Sequence, residues 1–373
     1  MTLKSYTPSI LPLLLAFLCP LSTAHAANRC YPDIDGVYSY YVGHIGDTHK
    51  IQMALNREKH KVSGEFFYVK DGLLIAVKGR ADDRDYLITQ YEKNKTAQAK
   101  ARFRLKLDTN FKLTGSWESI DGKQKLPVQL NEVARSNVIK LNADKRDYYM
   151  AARFPGLAPV GPPGNLQAFK QAIHDHFRDN IRAMDKKWAK GEGLRSYEET
   201  AAIRYFSPDL MSLQVHKIQG GGLRPIHFYH GLNYQLVDGK VHELKLSDLF
   251  EPKSGWKREL PVLVGKELPA ALSREKKEGH LILLDKIPNV IDDLTLDLLE
   301  QFSVSPAGIE FHLPSIYSSP RNGSHHVTLS FASLKPYLRK NGTLARWTDA
   351  PAVQAMRDAM LSEKLDAKGK PKD

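Results

Sequence analysis

Between Val37 and Val133 the apolar residues alternate with polar ones in short runs, and this period of two restricts the segment to antiparallel β structure. Ile51, Met53 and Leu55 follow the pattern. So do Val62, Phe66 and Tyr68, with Gly64 between them, and Phe103, Leu105 and Leu107. Turn-forming residues separate the runs at Lys70-Asp71-Gly72, Asp108-Thr109-Asn110 and Asp121-Gly122. The spacing gives about eight strands, which bury a shared apolar face by closing into a barrel or rolling into a meander. Trp117, on a late strand, belongs with that core.

The pattern changes after Ala134. Residues 134–164 read as a connection ending in Pro155-Gly-Leu-Ala-Pro-Val-Gly-Pro-Pro-Gly164, a run that excludes helix and central strand. Leu166, Phe169, Ile173, Phe177, Met184 and Trp188 then recur at helical spacing on one face, and Gly191-Glu-Gly193 stops the helix. Strands fit Met211 to Ile218 and His227 to Val237, with a glycine break at 220–222. Ser254 to Leu272 reads as a helix, Gly308–Leu313 and His326–Phe331 as a final hairpin, and Ser333–Arg339 as a short last helix. Helices packed on an antiparallel sheet make the whole chain α+β, an N-terminal β meander or barrel followed by a C-terminal α+β domain. The expected division is a signal peptide over 1–26, a β-rich domain over 27–135, a linker with a leading strand over 136–164, the α+β domain over 165–345 and a tail over 346–373.

The first residues set the expected compartment. A single charge at Lys4, an apolar run from Ile10 to Leu21 and Ala24-His25-Ala26 have the layout of a cleavable secretory signal, with the run too short to span a bilayer. The expectation is a periplasmic or secreted protein. Of the two cysteines, Cys19 lies in the apolar run, so Cys30 alone survives cleavage and no internal disulfide can form. The fold must be held by its core, for which the chain is long enough. The net charge of +12 is spread along the sequence. For an exported protein this makes nucleic acid an implausible partner and acidic envelope polymers or an acidic protein plausible ones.

Motifs for catalysis are missing. The sequence holds no His-Glu-x-x-His, no Gly-x-Ser-x-Gly, no phosphate loop and no dinucleotide-binding glycine pattern. His174, Asp175 and His176 fall on a helix where i and i+2 diverge, so they read as a solvated face. His325-His326 opens a strand, where neighbours point to opposite sides. Ser273-Arg-Glu-Lys276 has the spacing of some acyl enzymes without their companion motifs, and Asp292-Asp293 reads as an acidic helix start. The expectation is therefore no catalytic residues, no metal and no cofactor.

Binding features are more specific. Pro314-Ser-Ile-Tyr-Ser-Ser-Pro-Arg-Asn-Gly-Ser324 joins two strands by a stretch longer than an ordinary hairpin loop. Its composition suits recognition: Tyr317 supplies rigid amphipathic area, Arg321 a charged fork, and Asn322 with the serines adaptable hydrogen bonds. Arg224, His227, Tyr229 and His230 make a second polar-aromatic group beside the glycine break. Pro314, Tyr317, Arg321, Asn322, Arg224 and Tyr229 are the candidate partner-binding residues.

The order of Tyr234-Gln-Leu-Val-Asp-Gly-Lys-Val-His-Glu-Leu-Lys-Leu-Ser-Asp-Leu-Phe250, a helix, and Phe302-Ser-Val-Ser-Pro-Ala-Gly-Ile-Glu-Phe-His-Leu-Pro-Ser-Ile-Tyr317 resembles a domain of unknown function found in bacterial envelope proteins. That domain occurs in a lysozyme-sensing anti-sigma factor and, outside the catalytic part, in a peptidoglycan deacetylase. Phe154-Pro-Gly-Leu157 with its following helix resembles the small module that precedes it. Gly64-Glu-Phe-Phe-Tyr68 and Leu113-Thr-Gly-Ser-Trp117 resemble an N-terminal module of related Gram-negative proteins. The resemblance implies recognition of a cell-wall-active enzyme such as lysozyme, or of peptidoglycan. No transmembrane helix or sigma-binding segment accompanies it here, which favours a free inhibitor or immunity protein over a signalling receptor. The basic charge points away from animal lysozymes, themselves basic, and toward an acidic toxin or the wall polymer.

Overall fold

The computed structural model describes residues 36–70, 72, 74–92, 95–142, 148–157, 165–188, 195–220, 226–277, 294–314 and 325–344. The proposed signal, Gly191-Glu-Gly193, Asp292-Asp293 and the tail lie outside these residues.

Eight antiparallel strands open the described chain: β1 (Val37–Ile45), β2 (His49–Glu58), β3 (Lys61–Tyr68), β4 (Ile75–Asp82), β5 (Asp85–Glu92), β6 (Lys95–Leu107), β7 (Lys112–Ser119) and β8 (Lys125–Asn142). Each pairs with the next, and β1 also pairs with β8 from Ile45↔Val128 to Ser39↔Arg135, so the meander closes into a barrel. The alternation seen in the sequence points inward. Ile51, Met53, Leu55, Val62, Phe66, Phe103 and Leu105 are all buried in one cluster, and Trp117 packs partly buried against it. Gly64 marks a close strand approach. A Cβ there would lie 2.0 Å from the Ala54 carbonyl oxygen, so only glycine lets β3 bend around β2.

The segment read as a connection is largely strand. β8 runs past the barrel and pairs with β9 (Tyr148–Leu157) from Ala134↔Leu157 to Asn142↔Tyr149. The alternating Ile139 and Leu141 carry the barrel sheet into the C-terminal half, where they pack against the buried face. Pro155 and Gly156 lie inside β9, contrary to the sequence reading. Proline is tolerated there because the next strand pairs with β9 only as far as Arg153 and leaves Pro155 at an edge on that side.

Helix α1 (Asn165–Trp188) connects β9 to β10 (Arg195–Ser207), which runs parallel to it. β11 (Leu210–Gly220), β12 (Ile226–Val237) and β13 (Lys240–Glu243) follow antiparallel and complete a sheet of 13 strands. Asp238 and Gly239, at φ 48° and 75°, make the two-residue β12–β13 turn in the left-handed region such a hairpin needs. Phe169, Ile173, Phe177 and Trp188 of α1 are buried on one face of this sheet with Met150, Phe154, Leu213 and Val215. Phe177 stacks on Phe154 at 4.8 Å.

The opposite face carries a three-stranded sheet, β14 (Phe302–Ser305), β15 (Gly308–Leu313) and β16 (His325–Leu329), with helix α3 (Trp256–Lys277) packed on it. Before α3 comes α2 (Leu246–Leu249), a single helical turn; α4 (Leu296–Leu299) leads into β14. Phe331, expected in the last strand, instead begins α5 (Phe331–Leu334), because Ser330 accepts the Ser333 amide as its cap.

Buried polar groups hold β14 against the large sheet. The Ser212 hydroxyl donates to Asn233 Oδ1 at 2.6 Å, Asn233 Nδ2 to the Phe302 carbonyl at 2.7 Å, and the Val304 amide to Ser212 Oγ at 2.7 Å. A Cβ on Gly231 would sit 1.4 Å from the Phe302 carbonyl oxygen. Gly231→Ala is therefore expected to push β12 from β14 and cost about 2 kcal/mol, read as a lower urea midpoint with an unchanged slope. An unshifted midpoint would mean that the two sheets do not meet this closely.

Candidate functional site

Strand alternation sends two polar groupings to opposite faces of β10–β12. On the helix side, His176 of α1 meets Glu199 of β10 and His230 of β12, with ligand-type atoms within 4.8 Å of one another. Glu199 is fully buried. It receives the Lys217 ammonium at 3.1 Å, the Tyr197 hydroxyl at 3.1 Å and the Asn180 amide at 3.2 and 3.3 Å. Its charge is neutralised and its oxygens are occupied, which marks a structural pair. His176 therefore turns onto the sheet, whereas the sequence reading placed it on a solvated helix face. His174 and Asp175 do remain partly exposed. The helix period puts i and i+2 apart as argued, but His176 falls on the buried side.

On the other side, Glu310 and His312 of β15 share a face, and His326 of β16 lies directly across from His312. Nδ1 of His312 is 2.9 Å from Nδ1 of His326, and each lies 3.8 Å from Glu310 Oε1. His312 Nε2 is 3.1 Å from the Ser303 hydroxyl. Arg204 Nη2 donates to Glu310 Oε2 at 3.1 Å, and Gln214 Nε2 to Oε1 at 3.2 Å. Burial alone would raise the Glu310 carboxyl, but Arg204, then His312 and His326, hold it below the usual carboxylate range. Burial pushes His312 down to about 3, against the pull of Glu310.

An aromatic row continues outward from this group. The Tyr229 ring meets His326 edge-on at 5.0 Å and stacks on His216 at 4.2 Å; His216 Nε2 lies 3.0 Å from His227 Nδ1. Burial, followed by His227 and His326, lowers His216 to about 4. On the opposite face of β12, the one that carries His230, Ile226 and Phe228 are 46% and 45% exposed, unusual for large apolar side chains.

The sequence candidates can now be placed. Tyr229 is half-buried in the row, and Pro314 is half-buried directly after β15. Arg224, Tyr317, Arg321 and Asn322 lie outside the described residues. The structure brings together, through Tyr229 and His326, the strand that follows segment 221–225 and the strand that follows segment 315–324. His325 is buried and His326 half-exposed, so the two do face opposite sides as the strand period requires. Glu310, His312 and the exposed Ile226–Phe228 edge were missed. The signal that could have found them is Glu-x-His on one strand facing a histidine that opens the next.

No family model matches this sequence, and no curated protein matches it. Its structural neighbours are DUF3298-family proteins. One, from Pseudomonas aeruginosa PAO1, is 13% identical with a TM-score of 0.40 over 56% of this chain and 94% of that one. Another, from Bacteroides fragilis NCTC 9343, is 13% identical with a TM-score of 0.36 over 59% and 98%. Among the described residues no helix is long and apolar enough to cross a membrane.

Proposed function

We propose that this chain is an exported, non-enzymatic binding protein of the bacterial envelope. Its partner surface is the end where β12 meets the β15–β16 hairpin, and its partner is a cell-wall-active enzyme such as a muramidase or a delivered wall-degrading toxin. The observation that carries this reading is the exposed Ile226–Phe228 edge beside Tyr229. A partner that wraps this strand end covers Ile226 and Phe228 on one face and meets the Tyr229 ring on the other, apolar area and an aromatic anchor of the kind found at an interface centre. Segment 315–324, with Tyr317 and Arg321, begins and ends at the same place. The net charge of +12 supports a second reading, peptidoglycan or another wall polyanion.

The test is capture from periplasmic extract, with lysozymes and purified peptidoglycan as added baits, and inhibition assays on whatever is retained. Tyr317→Ala and Arg321→Ala are each expected to weaken binding about thirtyfold while leaving the melting temperature in place. Unchanged affinity in both would remove 315–324 from the surface. A steep loss of binding between low and moderate salt would favour the wall polymer, and a flat response with enzyme inhibition the protein partner. Turnover of peptidoglycan, acetylated glycans or esters by the protein itself would overturn the reading.

A further inference from the structure

We propose that Glu310, His312 and His326 form a binding site for a divalent transition-metal cation of the zinc class. The inference goes beyond the binding reading and stands independently of it. The three residues offer two imidazole nitrogens and one carboxylate oxygen, a common donor set for such ions. In a tetrahedral site with bonds of about 2.0–2.1 Å, ligand atoms lie about 3.3 Å apart. The separations here are 2.9, 3.8 and 3.8 Å, so shifts of about half an ångström close the set around an ion.

The surroundings favour the ion. Ser303 engages His312 Nε2, which leaves Nδ1 as the coordinating atom and fixes the ring as an outer-shell partner does. Two Nδ1 atoms at 2.9 Å repel unless a proton or a cation lies between them. Arg204 is shared between Glu310 and Glu65, two carboxylates against one guanidinium, so the pocket holds an excess negative charge. The His326 side chain is 30% exposed, which gives an ion a route in. The grouping on the other face lacks this excess, because Lys217 already neutralises Glu199. A cation at Glu310, His312 and His326 would join β15 to β16 where segment 315–324 starts and ends.

The experiment uses tag-free whole protein stripped with EDTA, titrated with Zn²⁺ by calorimetry and with Co²⁺ by visible absorption. About one equivalent should bind, and Co²⁺ should give the intense visible bands of a low-coordinate site. His326→Ala and Glu310→Gln should each weaken binding by more than the roughly 10–100-fold that loss of an outer-shell partner costs. His326 is half-exposed, so its variant keeps the melting temperature of the stripped protein, which separates lost ligation from lost folding. His176→Ala should bind as the parent does. Binding that survives both substitutions, or that His176→Ala abolishes instead, would overturn the assignment. So would a stripped protein that takes up neither ion, since a shared proton would then account for the histidine pair.

Discussion

Arg204→Met is expected to destabilise the protein by about 4 kcal/mol in urea unfolding with EDTA present. The side chain is 13% exposed and donates to two carboxylates, Glu65 of β3 in the barrel at 2.8 Å and Glu310 of β15 at 3.1 Å. One guanidinium thus ties the barrel to the small sheet across β10. Its removal leaves Glu310, itself 13% exposed, without a cation, and stranding a buried charge costs more than the pair contributed. Glu65 is 36% exposed, so water makes up much of its loss. Adding Glu310→Gln to Arg204→Met should therefore recover most of the stability, whereas adding Glu65→Gln should recover little. A single-variant loss under about 1 kcal/mol would show that Glu310 is hydrated and that the bridge is a surface pair.

The barrel was legible in the sequence because each of its strands buries one face. A one-faced strand must alternate, as Ile51, Met53 and Leu55 do, and Phe103 with Leu105 likewise. Helix α1 was legible for the same reason at its own period. The continuation of β8 into β9 was not. Ser136 and Asn137 interrupt the apolar alternation there, and Pro155-Gly156 carries the chemistry of a turn although the neighbouring strand has already departed. Polar sites fare worse, since they depend on register between strands. The adjacent His325 and His326 point to opposite faces, as the strand period requires. The partner of His326 is His312, fourteen positions earlier and directly opposite, and only the pairing of β15 with β16 reveals it. Tyr229 stood out by composition alone; its contact with His326 could not be read before the small sheet was docked on the large one.

Acid is expected to unfold this protein sooner than its carboxylates alone would require, through His230. Burial is the main cause of its low affinity for protons, followed by the charges of Lys217 on β11, His176 on α1 and His312 on β15, and together they push it down to about 2. Glu199 on β10 faces the same space but is already held by Lys217. His176 is likewise lowered, first by burial, with Glu199 opposing. A histidine with a depressed folded value binds fewer protons when folded than when unfolded. Its contribution is therefore complete above the ordinary value of 6.5 and is lost as pH falls below it, at up to about 1.4 kcal/mol per pH unit. Between about pH 6.5 and 4.5, where most carboxylates are still ionised, His230 alone should remove about 3 kcal/mol, with His176 adding to it. Urea midpoints measured in EDTA across that range should fall steeply for the parent protein. His230→Gln should fall less steeply, by the uptake of about one proton, while losing some stability at neutral pH. Parallel curves for the two would mean that His230 is protonated in the folded state, and that the buried side of β12 admits water where the packing of α1 says it does not.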